Sequence, residues 1–89
     1  MSTPKLLSDL PNGTHACVTG LRAGGTAVQD ATVRRLGELG FIAGEPVQML
    51  RRGPGGREPL AVQIGETLFA LRLVEAQSVE VTLTETAGA

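Results

Sequence analysis

From Pro46 onward, apolar side chains recur at every second position in runs of two or three, and glycine or proline interrupts the runs. Val47 and Met49 alternate, then Leu60, Val62 and Ile64 alternate with Ala61 and Gln63, then Val79, Val81 and Leu83 alternate again. A period of two turns one face of each segment inward, which is the pattern of short, half-buried strands. Gly53-Pro54-Gly55-Gly56-Arg57 is a dense loop signal, and Gly65-Glu66 is a two-residue connection of the II′ hairpin kind. Thr67 to Leu73 reads as the returning strand. Leu73 to Gln77 is too short for a helix of its own and predicts a 3₁₀ turn.

The first half of the chain supplies one more strand and the only helix. Leu6, Leu7 and Leu10 followed by Pro11-Asn12-Gly13 predict one helical turn and then a tight turn. Thr14 to Arg22 reads as a strand with Ala16 and Val18 on one face and His15, Cys17 and Thr19 on the other. Near Gln29 to Glu38 the period changes to that of a helix, with Val33, Leu36 and Leu39 on one stripe. Asp30 is the expected N-cap and Gly40 the expected residue just past the end. Arg34 and Glu38, four apart, form a candidate pair, and Gly37 costs the helix about 1 kcal/mol relative to Ala. Its presence predicts close packing against the sheet. Five short strands and one short helix inserted after the first strand predict a mainly β, small closed barrel, because closure removes exposed edges. The expectation is a single domain over 1–89, with a core at about 6–83 and a frayed tail at 84–89.

Composition narrows the function classes. The 89 residues carry eight basic and nine acidic side chains, a formal charge of −1, and two Phe as the only aromatic residues. Phosphate-backbone binding calls for a clearly basic surface, and single-stranded nucleic acid calls for aromatic stacking platforms, so a nucleic-acid partner is not expected. No apolar stretch approaches the roughly 20 residues of a membrane span, and the first residues lack a signal-peptide pattern. With one cysteine, Cys17, no internal disulfide can form. A cytoplasmic setting, without direct membrane insertion, is the simplest expectation.

Motifs for chemistry are sparse. Gly-x-x-x-x-Gly-Lys-[Ser/Thr] is absent, so nucleotide binding by this chain is not expected. Nucleophilic catalysis needs a base beside the nucleophile and a third group to orient it; one His and one Cys on a small barrel make a poor catalytic set, and no catalytic residue is assigned. His15 and Cys17 share a strand face and form a candidate half-site for zinc or Fe(II), which needs further ligands or a second chain. A homodimer bridged by metal would complete four ligands. The plainer outcome is a solvent-facing His15 and a small, inert Cys17, with no cofactor required.

Consecutive apolar residues in Leu39-Gly40-Phe41-Ile42 and Phe69-Ala70-Leu71 cannot all point inward, which predicts a surface groove. Arg51, Arg52 and Arg57 flank the Gly-rich loop and offer a basic rim to an acidic partner. Leu39, Phe41, Arg51, Arg52 and Phe69 are therefore the candidate partner-binding residues.

Several of these segments together resemble one family. Leu36-Gly37-Glu38-Leu39-Gly40-Phe41-Ile42-Ala43-Gly44, then Arg52-Gly53-Pro54-Gly55-Gly56, then Leu68-Phe69-Ala70-Leu71-Arg72-Leu73-Val74-Glu75-Ala76 and Val79-Glu80-Val81 are similar to FeoA, with the similarity running from about Leu6 to Leu83. FeoA is the small cytosolic companion of the bacterial ferrous-iron transporter FeoB. The resemblance implies an SH3-like barrel and a non-enzymatic, regulatory role in iron(II) uptake through contact with the cytosolic side of FeoB. It also implies structural duties for Gly40, Gly44, Gly56, Arg72 and Ala76. Arg72 and Glu75, three apart, form a candidate ion pair. The same barrel is similar to the C-terminal domain of DtxR-type repressors. The alternative function is therefore a free-standing barrel that binds transition metal or a repressor.

Overall fold

The computed structural model describes residues 5–22 and 25–84. Six strands run in chain order: β1 (Lys5–Leu6), β2 (His15–Leu21), β3 (Pro46–Gly53), β4 (Arg57–Ile64), β5 (Thr67–Leu71) and β6 (Val79–Leu83). Helix α1 (Ala27–Leu39) lies between β2 and β3, and the single turn α2 (Leu73–Ala76) joins β5 to β6. The strands form one antiparallel sheet in the order β1-β6-β2-β3-β4-β5. The architecture is mainly β with one substantial helix, as expected, but it has six strands rather than five. The extra strand, Lys5–Leu6 against Val81 and Glu80, is two residues long, too short for any alternation to mark it.

The alternation that predicts the strands also builds the core. Val47 and Met49 on β3, Leu60, Val62 and Ile64 on β4, and Val79 and Val81 on β6 are all buried. Ala16 and Val18 join them from β2, and Leu7, Leu10, Leu36 and Phe41 close the ends. Inward faces from five strands share one cluster, so the sheet must curl around it. Leu83 departs from the pattern and is half exposed at the end of β6.

Glycines stand where side chains cannot. Gly40, at φ 114°, ends α1, and its amide bonds back to the Gly37 and Leu36 carbonyls. Gly44 (φ 94°) turns the chain into β3, and Gly56 (φ 74°) turns it into β4. Gly53 is needed for a different reason: a Cβ there would collide with the backbone carbonyl of Glu58. At Gly37 an added Cβ would meet only Leu21 Cδ1, at 3.9 Å, an ordinary contact, so the close packing expected at this glycine is absent.

Three local expectations change. The N-cap of α1 is Thr26, not Asp30; its Oγ1 accepts the Gln29 amide at 3.1 Å, and its hydroxyl donates to Gln29 Oε1. Threonine is a favoured N-cap, and its bond to the Gln29 amide starts the helix four residues earlier. Residues 73–76 complete one α-helical turn, the Gln77 amide reaching the Leu73 carbonyl at 2.9 Å. Arg34 and Glu38 do not pair; the ion pairs among the described residues are Arg22–Glu80 and Arg35–Glu75.

Candidate docking surface

Helix α1 stands beside β5 and α2, with a cleft between them. Leu36 anchors the helix in the core, and the stripe Val28, Thr32, Arg35, spaced four and three apart, faces the cleft. The opposite wall is Ala70 of β5 and Arg72 just after it, with Val74 and Glu75 of α2. The cleft holds about 510 Å³. The cleft is open and its lining mixed: Val28 is 76% exposed and Val74 51%, beside Arg35 and Arg72.

Glu75 holds this arrangement together from below. It is nearly buried, and both carboxylate oxygens are committed: Oε2 accepts from Arg35 Nη1 at 2.9 Å, and Oε1 accepts from the Arg72 backbone amide at 2.8 Å. The Arg72–Glu75 contact is therefore real but backbone-mediated, and the cation on Glu75 is Arg35, forty residues earlier. An acid three residues into a helix that reaches back to the capping amide is half of a capping box, which is why α2 forms at all. The Arg72 guanidinium makes no ion pair among the described residues and is exposed. Ala76 is wholly buried beneath the turn.

The residues predicted to form the groove divide. Phe41 is 0% exposed, and its ring meets Phe69 with centroids 5.6 Å apart and planes at 49°. Leu39 and Phe69 are partly buried and pack on the same core. The apolar run after α1 thus plugs the barrel end, and Phe41 is a core residue rather than a contact residue; the exposed member of that run is Ile42. Consecutive apolar residues do spill outward, but among the described residues the large ones exposed are Val28, Ile42, Leu68, Leu73, Val74 and Leu83. Helical spacing from Val28 to Arg35 was the available signal for the cleft.

Arg51 and Arg52, adjacent on β3, differ in their duties. Arg52 donates from Nη2 to the carbonyls of Ser8 and Leu10, which pins the N-terminal turn to β3, so its part is structural. Arg51 is exposed. Arg52, Arg57, Glu58 and Leu73 line an open concavity of about 560 Å³, in which Glu58 Oε1 accepts the Leu73 amide at 3.1 Å.

His15 and Cys17 do lie on one face of β2, with His15 exposed and Cys17 half buried. Their cross-strand neighbours are Gln48 for His15, and Pro46 and Thr82 for Cys17, none of which is a ready metal ligand. The Cys17 thiol points to the Val18 carbonyl at 3.7 Å. Among the described residues no three of His, Cys, Asp and Glu converge, so one chain does not fit a zinc or Fe(II) site. No described helix is long and apolar enough to cross a membrane.

Solved structures share this architecture. FeoA of Stenotrophomonas maltophilia, solved with zinc and described as an SH3 domain protein and a candidate activating factor of ferrous iron transport, is 49% identical. It superposes with a TM-score of 0.78 over 88% of this chain and 89% of that one. FeoA of Chlorobium tepidum is 33% identical, with a TM-score of 0.74 over 89% of this chain and 70% of that one. A manganese-dependent transcriptional repressor, 15% identical, superposes with a TM-score of 0.75 over 94% of this chain and 44% of its own, a likeness of fold alone. No curated protein matches the sequence. The FeoA domain family matches residues 5–83, and the chain belongs to that family.

Proposed function

We propose that this chain is a non-enzymatic regulator of bacterial Fe(II) uptake that acts by contact with the cytosolic part of a FeoB-type transporter. Membership of the FeoA family, which is associated with ferrous iron transport, sets the setting. The observation that carries the docking role is the open cleft between α1 and β5, where exposed Val28 and Val74 stand beside two arginines. A cleft of this kind fits a partner better than a reaction, because its one buried carboxylate is fully occupied by hydrogen bonds. Regulation then requires that the protein bind two states of the transporter with different affinity, since equal binding shifts nothing. Arg51, exposed on β3, and Phe69, half buried on β5, remain candidate contacts. His15 and Cys17 would hold metal only if a second copy completed the ligand set, a bridged homodimer that the docking role does not need.

The test is titration of the purified protein against detergent-solubilised FeoB, with and without guanine nucleotide. Saturable one-to-one binding that weakens in Val28→Asp, Val74→Asp double variants supports the role. Absence of binding in every nucleotide state, together with a molar equivalent of retained metal, overturns it in favour of a metal-binding barrel.

A further inference from the structure

Strand β5 is an edge strand without the usual protection. Its sequence, Thr-Leu-Phe-Ala-Leu, contains no charge and no proline, and its register against β4 runs without a bulge from Leu60–Leu71 to Ile64–Thr67. Edge strands ordinarily carry such devices, because a bare edge is a template for another strand. The opposite edge, β1, is only two residues long and includes Lys5.

The hairpin geometry says which backbone groups lie free. Gly65 at φ 57°, with no other residue type at positive φ, makes the Gly65-Glu66 connection a two-residue turn. Its flanking pair, Ile64–Thr67, is then the hydrogen-bonded pair, and pairs alternate along an antiparallel ladder. Phe69 and Leu71 therefore bond to β4, while the N–H and C=O of Leu68 and Ala70 point away from it. Neither Leu68 nor Ala70 takes part in any other backbone hydrogen bond among the described residues. The next residue of the series closes the edge: the Arg72 amide is held by Glu75, and its carbonyl accepts from the Glu75 and Ala76 amides.

The surroundings specify what would pair there. Ala70 and Arg72 form one wall of the cleft, and Arg35 stands across it. Among the described residues the one carboxylate lining it is Glu75, which is paired with Arg35, so the unpaired charge presented to an occupant is that of Arg72 and is positive. Leu68, 65% exposed, and Val28 add apolar contact. We infer that the open edge of β5 receives an extended partner segment with alternating apolar and acidic side chains, which joins the sheet by strand addition while its acids face Arg35 and Arg72. This specifies the mode of the docking role proposed above and rests on it for the partner's identity.

Hydrogen exchange of the ¹⁵N-labelled protein tests the inference with two probes: the cytosolic domain of FeoB, and a synthetic eight-residue peptide alternating valine and aspartate. The expected result is slowed exchange at the Leu68 and Ala70 amides in the bound state, and at least tenfold weaker binding in Ala70→Pro. That variant removes an outward donor while sparing the ladder to β4. Arg72→Glu, which removes a guanidinium with no ion-pair partner among the described residues, is expected to weaken binding as much and guards against a misfolded proline variant. Exchange at Leu68 and Ala70 unchanged by either probe, or both variants binding within twofold of the parent, overturns the inference. Protection by the peptide but no binding of the FeoB domain supports the edge site and sinks the FeoB assignment. A concentration-dependent dimer that protects the same amides without any probe overturns the hetero-partner in favour of a second copy.

Discussion

Replacing Glu75 with alanine should cost this protein about 2–3 kcal/mol, and most of that loss should come from the backbone bond rather than from the ion pair. The Glu75 side chain is 12% exposed, whereas Arg35 is 66% exposed at its end of the contact. A hydrogen bond to a charged acceptor contributes roughly 1.5–3 kcal/mol, and the Arg72 amide to Glu75 Oε1, at 2.8 Å, is such a bond. A solvent-screened ion pair contributes about 0–1 kcal/mol, so the Arg35 arm adds little despite its 2.9 Å separation. In a domain of this size each kcal/mol moves the midpoint by about 4–8 °C, which places Glu75→Ala roughly 10–20 °C below the parent. Glu75→Gln keeps an acceptor for the Arg72 amide and should lose about half as much, while Arg35→Gln should stay within about 1 kcal/mol. Urea denaturation followed by circular dichroism, with thermal melts of the same four proteins, measures the series. If Arg35→Gln proves as costly as Glu75→Ala, the ion pair carries the contact and the reasoning is wrong.

Three further substitutions follow from the packing. Gly53→Ala drives a Cβ into the Glu58 carbonyl and should destabilise by about 3 kcal/mol, read as a lower urea midpoint; a midpoint at the parental value would show that β3 and β4 can part there. Gly37→Ala meets only ordinary contact and should raise stability by about 0.5–1 kcal/mol through helix propensity, so a loss would reveal packing on Leu21 tighter than 3.9 Å implies. Phe41→Ala empties a fully buried site and should cost about 3–5 kcal/mol, enough to unfold much of the protein at room temperature; a folded Phe41→Ala protein with a parental melt would place that ring outside the core.

The strands, the main helix and the core were legible in the sequence because periodicity is a local property. Leu60, Val62 and Ile64 turn inward for the same reason that they alternate, and Gly40 and Gly65 mark positions whose backbone angles other residues avoid. β1 was illegible because two residues cannot display a period, and the start of α1 was misplaced because Asp30 and Thr26 both have capping side chains.

The contents of the surface were decided elsewhere. In the sequence, Phe41 and Ile42 are adjacent apolar residues of similar promise; the turn after Gly40 buries the first against Phe69 and leaves the second in solvent. Arg51 and Arg52 are likewise equivalent as letters, until the fold brings the Ser8 and Leu10 carbonyls to Arg52 and leaves Arg51 exposed. Arg35 reaches Glu75 across forty residues, a pairing that no local pattern encodes. Periodicity determines which side of a segment is apolar. Only the order of strands decides which edge stays unpaired, and here that order leaves β5 open beside α1.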